Sequence, residues 1–521
     1  MQQLPLSARQ HPTETMQHIA VIDLGSNTSK LILLAYESGH RYKQIDELRQ
    51  VVRLAEGMGQ SQIIRADAFE RGLDALEIFS AYCQAAGVNE LCATATSAVR
   101  DAKNGEGFLA AVQARTGLEL RILSGEEEAY YGSLAIANSM HLGAEDTYVL
   151  DIGGGSAQLS LLQERRFVEG ESWPLGALRI TETFLRSDPP KKKEIKALLA
   201  YVDDCLGDSF RGKAKGRMLV GMGGTIRNLA KIHKKHVKYP LDLLGGYQLD
   251  KDALETIVEM LCSSSIEKKR QLPGLKQDRA DIIAAGALVA QRMVHYSGAQ
   301  GITISSQGLR EGLFYSYFLE QNPALLEDVR EFSVQNLARN YYDNPSHNAH
   351  VRHLSLQLFD GLSSLHGYGQ AERDMLAAAA VVHDIGMAVS YNDHHKHSFY
   401  LLMENELPGY QHREQAIIAL LCYYHRKGNP SPQGLEAVLE TDDMERVAKL
   451  AALLRLAEYF ERSKSQRIHK VSCHLSDDYV QIEAHAEPGA EVRVEIREAK
   501  QRSGLFADAY KVDVDIVLAA H

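Results

Sequence analysis

Two short segments, far apart in the chain, constrain its fold more than any other feature. HIAVIDLGSNTSKLILLAYE (18–37) and TYVLDIGGGSAQLSLLQ (147–163) each read as an apolar strand ending in an acid, a turn of small residues and a second apolar strand. Small residues at such a turn leave backbone N–H groups free to face one anion, because no bulky side chain blocks its approach. Asp23 precedes Gly25, Ser26, Asn27, Thr28 and Ser29, and Asp151 precedes Gly153, Gly154, Gly155 and Ser156. The short polar side chains add hydrogen-bond donors, and each acid can hold Mg2+ or its waters near a phosphate. One such turn alone reads more simply as a hairpin. Two, one per half of a duplicated unit, suit a cleft that grips a phosphate chain from both sides.

Around these turns the pattern is mixed strand and helix. Phe69, Leu73, Leu76 and Phe79 give residues 66–87 helical spacing. LCATATSAVR (91–100) reads as a buried strand running into a polar turn, and 118–123 as a short strand. Ser124 followed by Glu127 is a capping box opening a helix over 124–140. From about 325 to 465 the periodicity is helical, with an apolar stripe at Leu354, Leu358, Leu362 and Leu365 and a buried stretch from Met375 to Val382. Ten of the 21 histidines fall between 347 and 425. From about 468 the alternation of VSCHLSDDYVQIEAH, VRVEIREA and YKVDVDIVLA predicts a small β-rich unit.

At 521 residues the chain exceeds one hydrophobic core. Its 45% hydrophobic and 24% charged residues are ordinary for a globular protein, and no apolar run approaches the roughly 20 residues of a membrane span. The polar stretch 1–17 reads as a cytoplasmic N-terminus, and six scattered cysteines without a CxxC pair read as reduced thiols. A net charge of −11 argues against nucleic acid as a partner. Basic residues nevertheless cluster between about 190 and 270: Lys191–Lys193, Arg211 to Arg217, Lys231 to Lys238 and Lys268–Arg270. They are either a solvated face or a track for a polyanion.

The paired turns resemble those of the actin, sugar-kinase and heat-shock ATPase superfamily. With TATSAVR (94–100), SGEEEA (124–129), GMGGT (221–225) and GLREG (308–312) in order, the chain resembles the exopolyphosphatase / guanosine pentaphosphate phosphatase family over about 18–320 and more loosely beyond. The resemblance implies an α/β fold with duplicated actin-like (ribonuclease H-like) domains at 1–144 and 145–322, a helical HD-like domain at 323–466 and a small C-terminal domain at 467–521. It implies that Glu128 positions or activates water, that Asp151 is a second catalytic acid that binds the metal and orients the water, that Asp23 with Asp151 holds Mg2+ or Mn2+, and that Arg100 helps to hold phosphate. Gly25, Ser26, Asn27, Ser29, Gly153, Gly154, Gly155, Ser156, Gly223, Gly224 and Thr225 would bind the phosphates. The adjacent acids Glu126, Glu127 and Glu128 should raise at least one of their pKa values by like-charge repulsion, unless they are there only to match the helix dipole.

The implied reaction is release of terminal orthophosphate from inorganic polyphosphate by metal-assisted attack of water, by a cytoplasmic homodimer. Hydrolysis of guanosine pentaphosphate at its 5′ end is the near alternative. A nucleotide-dependent kinase or ATPase would need an adenosine pocket, which the sequence does not identify. A non-catalytic sensor of polyphosphate or alarmone is a reading from another class. Its motive is Ala157-Gln158-Leu159, where the family has Thr-Glu-Leu and so a charged group near the metal.

The histidine-rich region resembles the HD superfamily of metal-dependent phosphohydrolases, with H…HD…D ligands on a helical bundle. The resemblance implies His347, His383, Asp384 and Glu458, the last replacing an Asp, as ligands of a second divalent metal. The competing reading is a helical fold that keeps the histidines without an ion.

Overall fold

The computed structural model describes residues 16–59, 61–476 and 478–519. The expected polar N-terminus lies almost wholly outside them. The first apolar segment forms β1 (Gln17–Leu24) and β2 (Thr28–Glu37). β3 (Arg41–Val51), β4 (Glu90–Ala95) and the short β5 (Arg121–Ile122) complete a sheet in the order β3-β2-β1-β4-β5. β1 is apolar on both faces, with Ile19, Ala20, Val21 and Ile22 each at 0% exposure, as a central strand requires. Helices cover the sheet, among them Ala66–Ala85 at the expected place.

The second segment restarts the same design. β6 (Thr147–Ile152), β7 (Ala157–Gln163), β8 (Arg166–Trp173), β9 (Met218–Met222), β10 (Gln248–Asp250) and β11 (Gly301–Ile304) form a sheet ordered β10-β11-β9-β6-β7-β8. In both sheets the turn-bearing hairpin is antiparallel, and its first strand then pairs in parallel with a later one, β1 with β4 and β6 with β9. The suspected duplication is therefore visible as a repeated topology. The chain then crosses back: Leu313, Phe314 and Phe318 of helix Leu309–Phe318 share a core with Ile19, Val21 and Ile32 of the first sheet.

Six longer helices follow: Val329–Tyr341, Pro345–Gly361, Gln370–Val382, His394–Glu404, His412–Tyr424 and Asp443–Phe460. The last segment holds β12 (Ile468–Ser476), β13 (Tyr479–Ala486) and β14 (Asp513–Leu518). Its apolar side chains join one core with the helices. The strand expected at VRVEIREA is instead helix Arg493–Arg502. Val492, Glu495 and Ala499 are its buried positions, a helical spacing, while Val494 is 56% exposed. The alternating valines mislead because the buried face repeats every three to four residues.

Candidate active site

The two hairpins meet turn to turn. Gly25 N–H donates to Thr28 O (3.2 Å), and Gly153 N–H donates to Ser156 O (3.0 Å), the same local turn in both halves. Register places Asp23 opposite Lys30 and Asp151 opposite Gln158. The approach leaves no room for side chains: a Cβ on Gly155 would run into Ser26 Oγ and Ser97 Oγ, which are themselves hydrogen-bonded at 2.8 Å. Gly223 closes the third side. It begins helix Gly223–His236 with φ +84°, and a Cβ there would strike Asp151 Oδ1.

The cleft so formed is lined by Asp23, Gly25, Ser26, Asn27, Glu128, Asp151, Gly153, Gly154, Ser156, Gly223 and Gly224. Four expected residues sit elsewhere. Ser29 is fully buried in β2, and Gly155 is wedged between the hairpins. Thr225, also fully buried, has its side chain turned against Gly286 on a neighbouring helix. Arg100 does not line the cleft. Its Nη1 donates to Leu123 O (2.8 Å) and to Glu128 Oε1, so it holds the carboxylate.

Glu128 sits in the first turn of helix Gly125–Ala137, behind the capping box that Ser124 and Glu127 form. Its side chain is only 12% exposed. Burial raises its pKa to about 7, Arg100 opposes the rise, and Asp23 and Asp151 add to it. Its sequence neighbours Glu126 and Glu127 are not the cause: the helix turns them away, and Glu127 is spent on the cap. Burial likewise lifts Asp23 to about 6 and Asp151 above the usual carboxylate range. Gln158 is 3% exposed, and its Nε2 donates to Ser156 Oγ (2.9 Å) and Ser172 Oγ (3.0 Å), 3.5 Å from Glu128 Oε2.

Asp23 Oδ1 and Asp151 Oδ1 are buried oxygens without a hydrogen-bond partner. Two desolvated carboxylates, each with a free oxygen beside a phosphate-sized turn, fit a hard divalent cation such as Mg2+. The cleft also has a cationic wall. Lys30, Arg227, Arg279 and Arg310 all line the cleft. Burial and then the three arginines push the Lys30 ammonium well below its ordinary pKa, the signature of positive groups crowded around an anion's place. Sequence reasoning missed these roles, although Arg310 lies in a quoted motif and Lys30 faces Asp23 across the hairpin. Arg279 sits in an isolated 3-10 turn (Gln277–Arg279) with no local signal.

The basic clusters of 190–270 do not build this wall. Lys213 pairs with Glu169, Arg217 with Glu145, and Lys235 with Asp242. Lys234 is buried against Leu243 O, and Lys269 is 2% exposed. Among the clustered residues only Lys231 reaches the groove that continues from the cleft. In the helical region, His347, His383 and Glu458 bring ligand atoms within 4.8 Å of one another, and Asp384 does so with His394 and His425.

Residues 33–321 match the model of the Ppx/GppA phosphatase family, and 329–490 that of Ppx/GppA phosphatase domain III. A guanosine-5′-triphosphate,3′-diphosphate pyrophosphatase from Pseudoalteromonas translucida is 26% identical over 84% of this chain and 86% of the relative. Exopolyphosphatase 1 from Mycobacterium bovis is 30% identical over 57% of this chain and 86% of the relative. Among solved structures, an exopolyphosphatase from Cytophaga hutchinsonii (23% identity) covers 58% of this chain and 98% of its own, with a TM-score of 0.55, a likeness of fold. The Aquifex aeolicus member of the Ppx/GppA family is 27% identical, covering 59% of this chain and 99% of its own, with a TM-score of 0.50. No described helix is long and apolar enough to cross a membrane.

Proposed function

Because the chain belongs to the Ppx/GppA phosphatase family, it is a phosphoric anhydride hydrolase, and we propose that it is an exopolyphosphatase. One observation carries the choice of substrate. Lys30, Arg227 and Arg279 continue from the cleft into a groove that also holds Arg49, Lys231 and Lys276. The acids of that groove are largely engaged: Glu47 with Arg310, Asp242 with Lys235, and Glu406 by Leu244 N–H and Gly245 N–H. Arg49 is paired with Asp278, but Lys30, Arg227, Arg279, Lys231 and Lys276 make no ion pair among the described residues, and such a run of cations leading away from the reacting end suits a long phosphate chain.

The terminal phosphate would lie against the backbone N–H groups of the Gly25–Asn27 and Gly153–Ser156 turns and the start of helix Gly223–His236. Asp23 and Asp151 would hold Mg2+ or Mn2+, which supplies charge neutralisation on the phosphate oxygens. Glu128 takes the proton of a water aligned with the terminal phosphorus. The new P–O bond forms as the anhydride P–O bond breaks, giving orthophosphate and a chain one unit shorter. Arg100 fixes the carboxylate's orientation, and Lys30, Arg227 and Arg279 receive the charge that grows on the leaving oxygen.

The test is a comparison of kcat/KM for phosphate release from long-chain polyphosphate and from guanosine pentaphosphate, with Mg2+ present. The proposal expects the polymer to be preferred. A preference for the nucleotide would establish the second reading, favoured by the coverage of the Pseudoalteromonas translucida relative along most of this chain.

A further inference from the structure

The two phosphate turns are braced from behind by the same device. In the first half, the chain leaving β3 folds under the turn. Val52 N–H (3.2 Å) and Arg53 N–H (3.0 Å) both donate to Asn27 O, and Ala55 N–H donates to Ser26 O (3.1 Å). Arg53 has φ +46°, a left-handed conformation that lets two successive N–H groups converge on one oxygen. In the second half, the chain leaving β8 supports the turn with the start of helix Ala177–Phe184. Ala177 N–H donates to Gly153 O (3.0 Å), while Leu178 N–H (2.9 Å) and Arg179 N–H (3.2 Å) both donate to Gly154 O. β3 and β8 hold the same place in the repeated topology. Each turn therefore rests on the segment that follows the third strand of its own half.

Each brace also carries one arginine whose side chain crosses to the opposite half. Arg53 Nη1 lies 2.7 Å from Asp281 Oδ2, and its Nη2 donates to Asp278 O at 3.3 Å. Arg179 Nη2 crosses in the other direction and donates to Asp101 Oδ2. Apolar neighbours cross beside them: Leu178 and Ile282, 2% and 1% exposed, belong to the core of the first half. Arg53, Asp281, Arg179 and Asp101 do not line the cleft, so any effect on the reaction passes through the turns. Both ion pairs are partly open to water, with side chains 26–32% exposed, and such pairs add little to stability. What a guanidinium fork fixes is direction and register between two surfaces.

We propose that Arg53 and Arg179 are reciprocal positioning residues, which hold the two turns at the separation and angle that grip one phosphate. The inference rests on the reading of the turns as the phosphate site. Each arginine is bonded to its own turn through the backbone and to the opposite half through the side chain, so a shift of either half displaces both turns. The second pair also reaches the base. Asp101 Oδ1 lies 3.5 Å from Arg100 Nε, and Arg100 holds Glu128. With Arg179 gone, Asp101 is free to compete with Glu128 for that guanidinium. Loss of Arg53 therefore acts through KM, and loss of Arg179 lowers kcat as well.

The test is a charge reversal in the full-length chain: Arg53→Asp, Asp281→Arg and the two together, with Asp281→Asn as a milder variant that removes only the charge. Far-UV circular dichroism reports folding. Hydrogen–deuterium exchange is read at residues 52–55, whose N–H groups brace the first turn. kcat and KM are read for phosphate release from long-chain polyphosphate and from guanosine pentaphosphate with Mg2+. Asp281→Arg and Asp281→Asn should speed exchange at 52–55 several-fold, although Asp281 lies in the other half. Each single reversal should lower kcat/KM about 10- to 100-fold, mostly through KM, and the double reversal should recover most of both effects. Arg179→Gln should lower kcat about tenfold with little change in Tm. Folded Asp281 variants with unchanged exchange at 52–55, or a double reversal no better than either single, would overturn the proposal, and an unchanged kcat in Arg179→Gln would overturn it for that pair. Wild type that releases phosphate from neither substrate would sink the reading of the cleft instead, and the exchange measurement would still decide whether the halves are braced in this way.

Discussion

At the scale of single residues, burial sets the chemistry. Glu128 near pKa 7 is ionised at neutral pH about half the time, where a general base works best. The kcat/KM profile should therefore rise through about pH 7 and level off above it. Replacing Gln158 by Glu would set a like charge beside it and move that limb to higher pH by on the order of one unit; an unmoved limb would mean that the amide does not sense Glu128. The same burial makes stability depend on pH. Asp23 and Glu128 have folded pKa values above their unfolded ones. Their contribution is intact below about pH 4 and is lost as pH rises through about 6 to 7, on the order of 3 kcal/mol for each group. In chelator-treated protein, Asp23→Asn should gain Tm on wild type between pH 5 and pH 8, and Mg2+ should close the gap by restoring wild type. A constant difference across that range would contradict the cause assigned to the shift.

At the scale of elements, the site is a matter of how closely backbones approach. Gly223 is the position where both a positive φ and the Asp151 carboxylate exclude a side chain. Gly223→Ala should cost roughly 1–3 kcal/mol and raise KM for substrate and Mg2+ together, as read by thermal unfolding and steady-state kinetics. The hairpins and the capping box were legible in the sequence because their signals are local: an acid, small residues, then alternating apolar residues within about twenty positions. Helix Arg493–Arg502 was not, because three β-branched residues imitate strand alternation and only the tertiary burial of Val492 and Ala499 decides the period. The cationic wall was the least legible part. Lys30, Arg227, Arg279 and Arg310 come from four separate elements, and nothing in a one-dimensional charge count separates them from Lys213 or Lys235, which are spent on surface pairs. The contact of Arg100 with Glu128 was not legible either, since the two lie 28 residues apart.

At the scale of the whole molecule, two copies of one topology face each other across a cleft. A groove leads out of it past the helical region, where Glu404 and Glu406 form part of its wall. If that groove carries the polymer, Lys231→Ala and Lys276→Ala should raise KM several-fold for long-chain polyphosphate and leave tripolyphosphate nearly unaffected. They should also weaken the salt dependence of KM for the long chain. Equal effects on both chain lengths would confine substrate to the cleft. The central claim is that phosphate-anhydride hydrolysis occurs between the hairpins with Glu128 as base, and its most direct measurement is phosphate release by wild type and Glu128→Gln at saturating Mg2+. The account predicts release by wild type and a fall of about 10²–10⁴-fold in kcat for the variant, with substrate binding retained. Full activity of Glu128→Gln on both polyphosphate and guanosine pentaphosphate would contradict it.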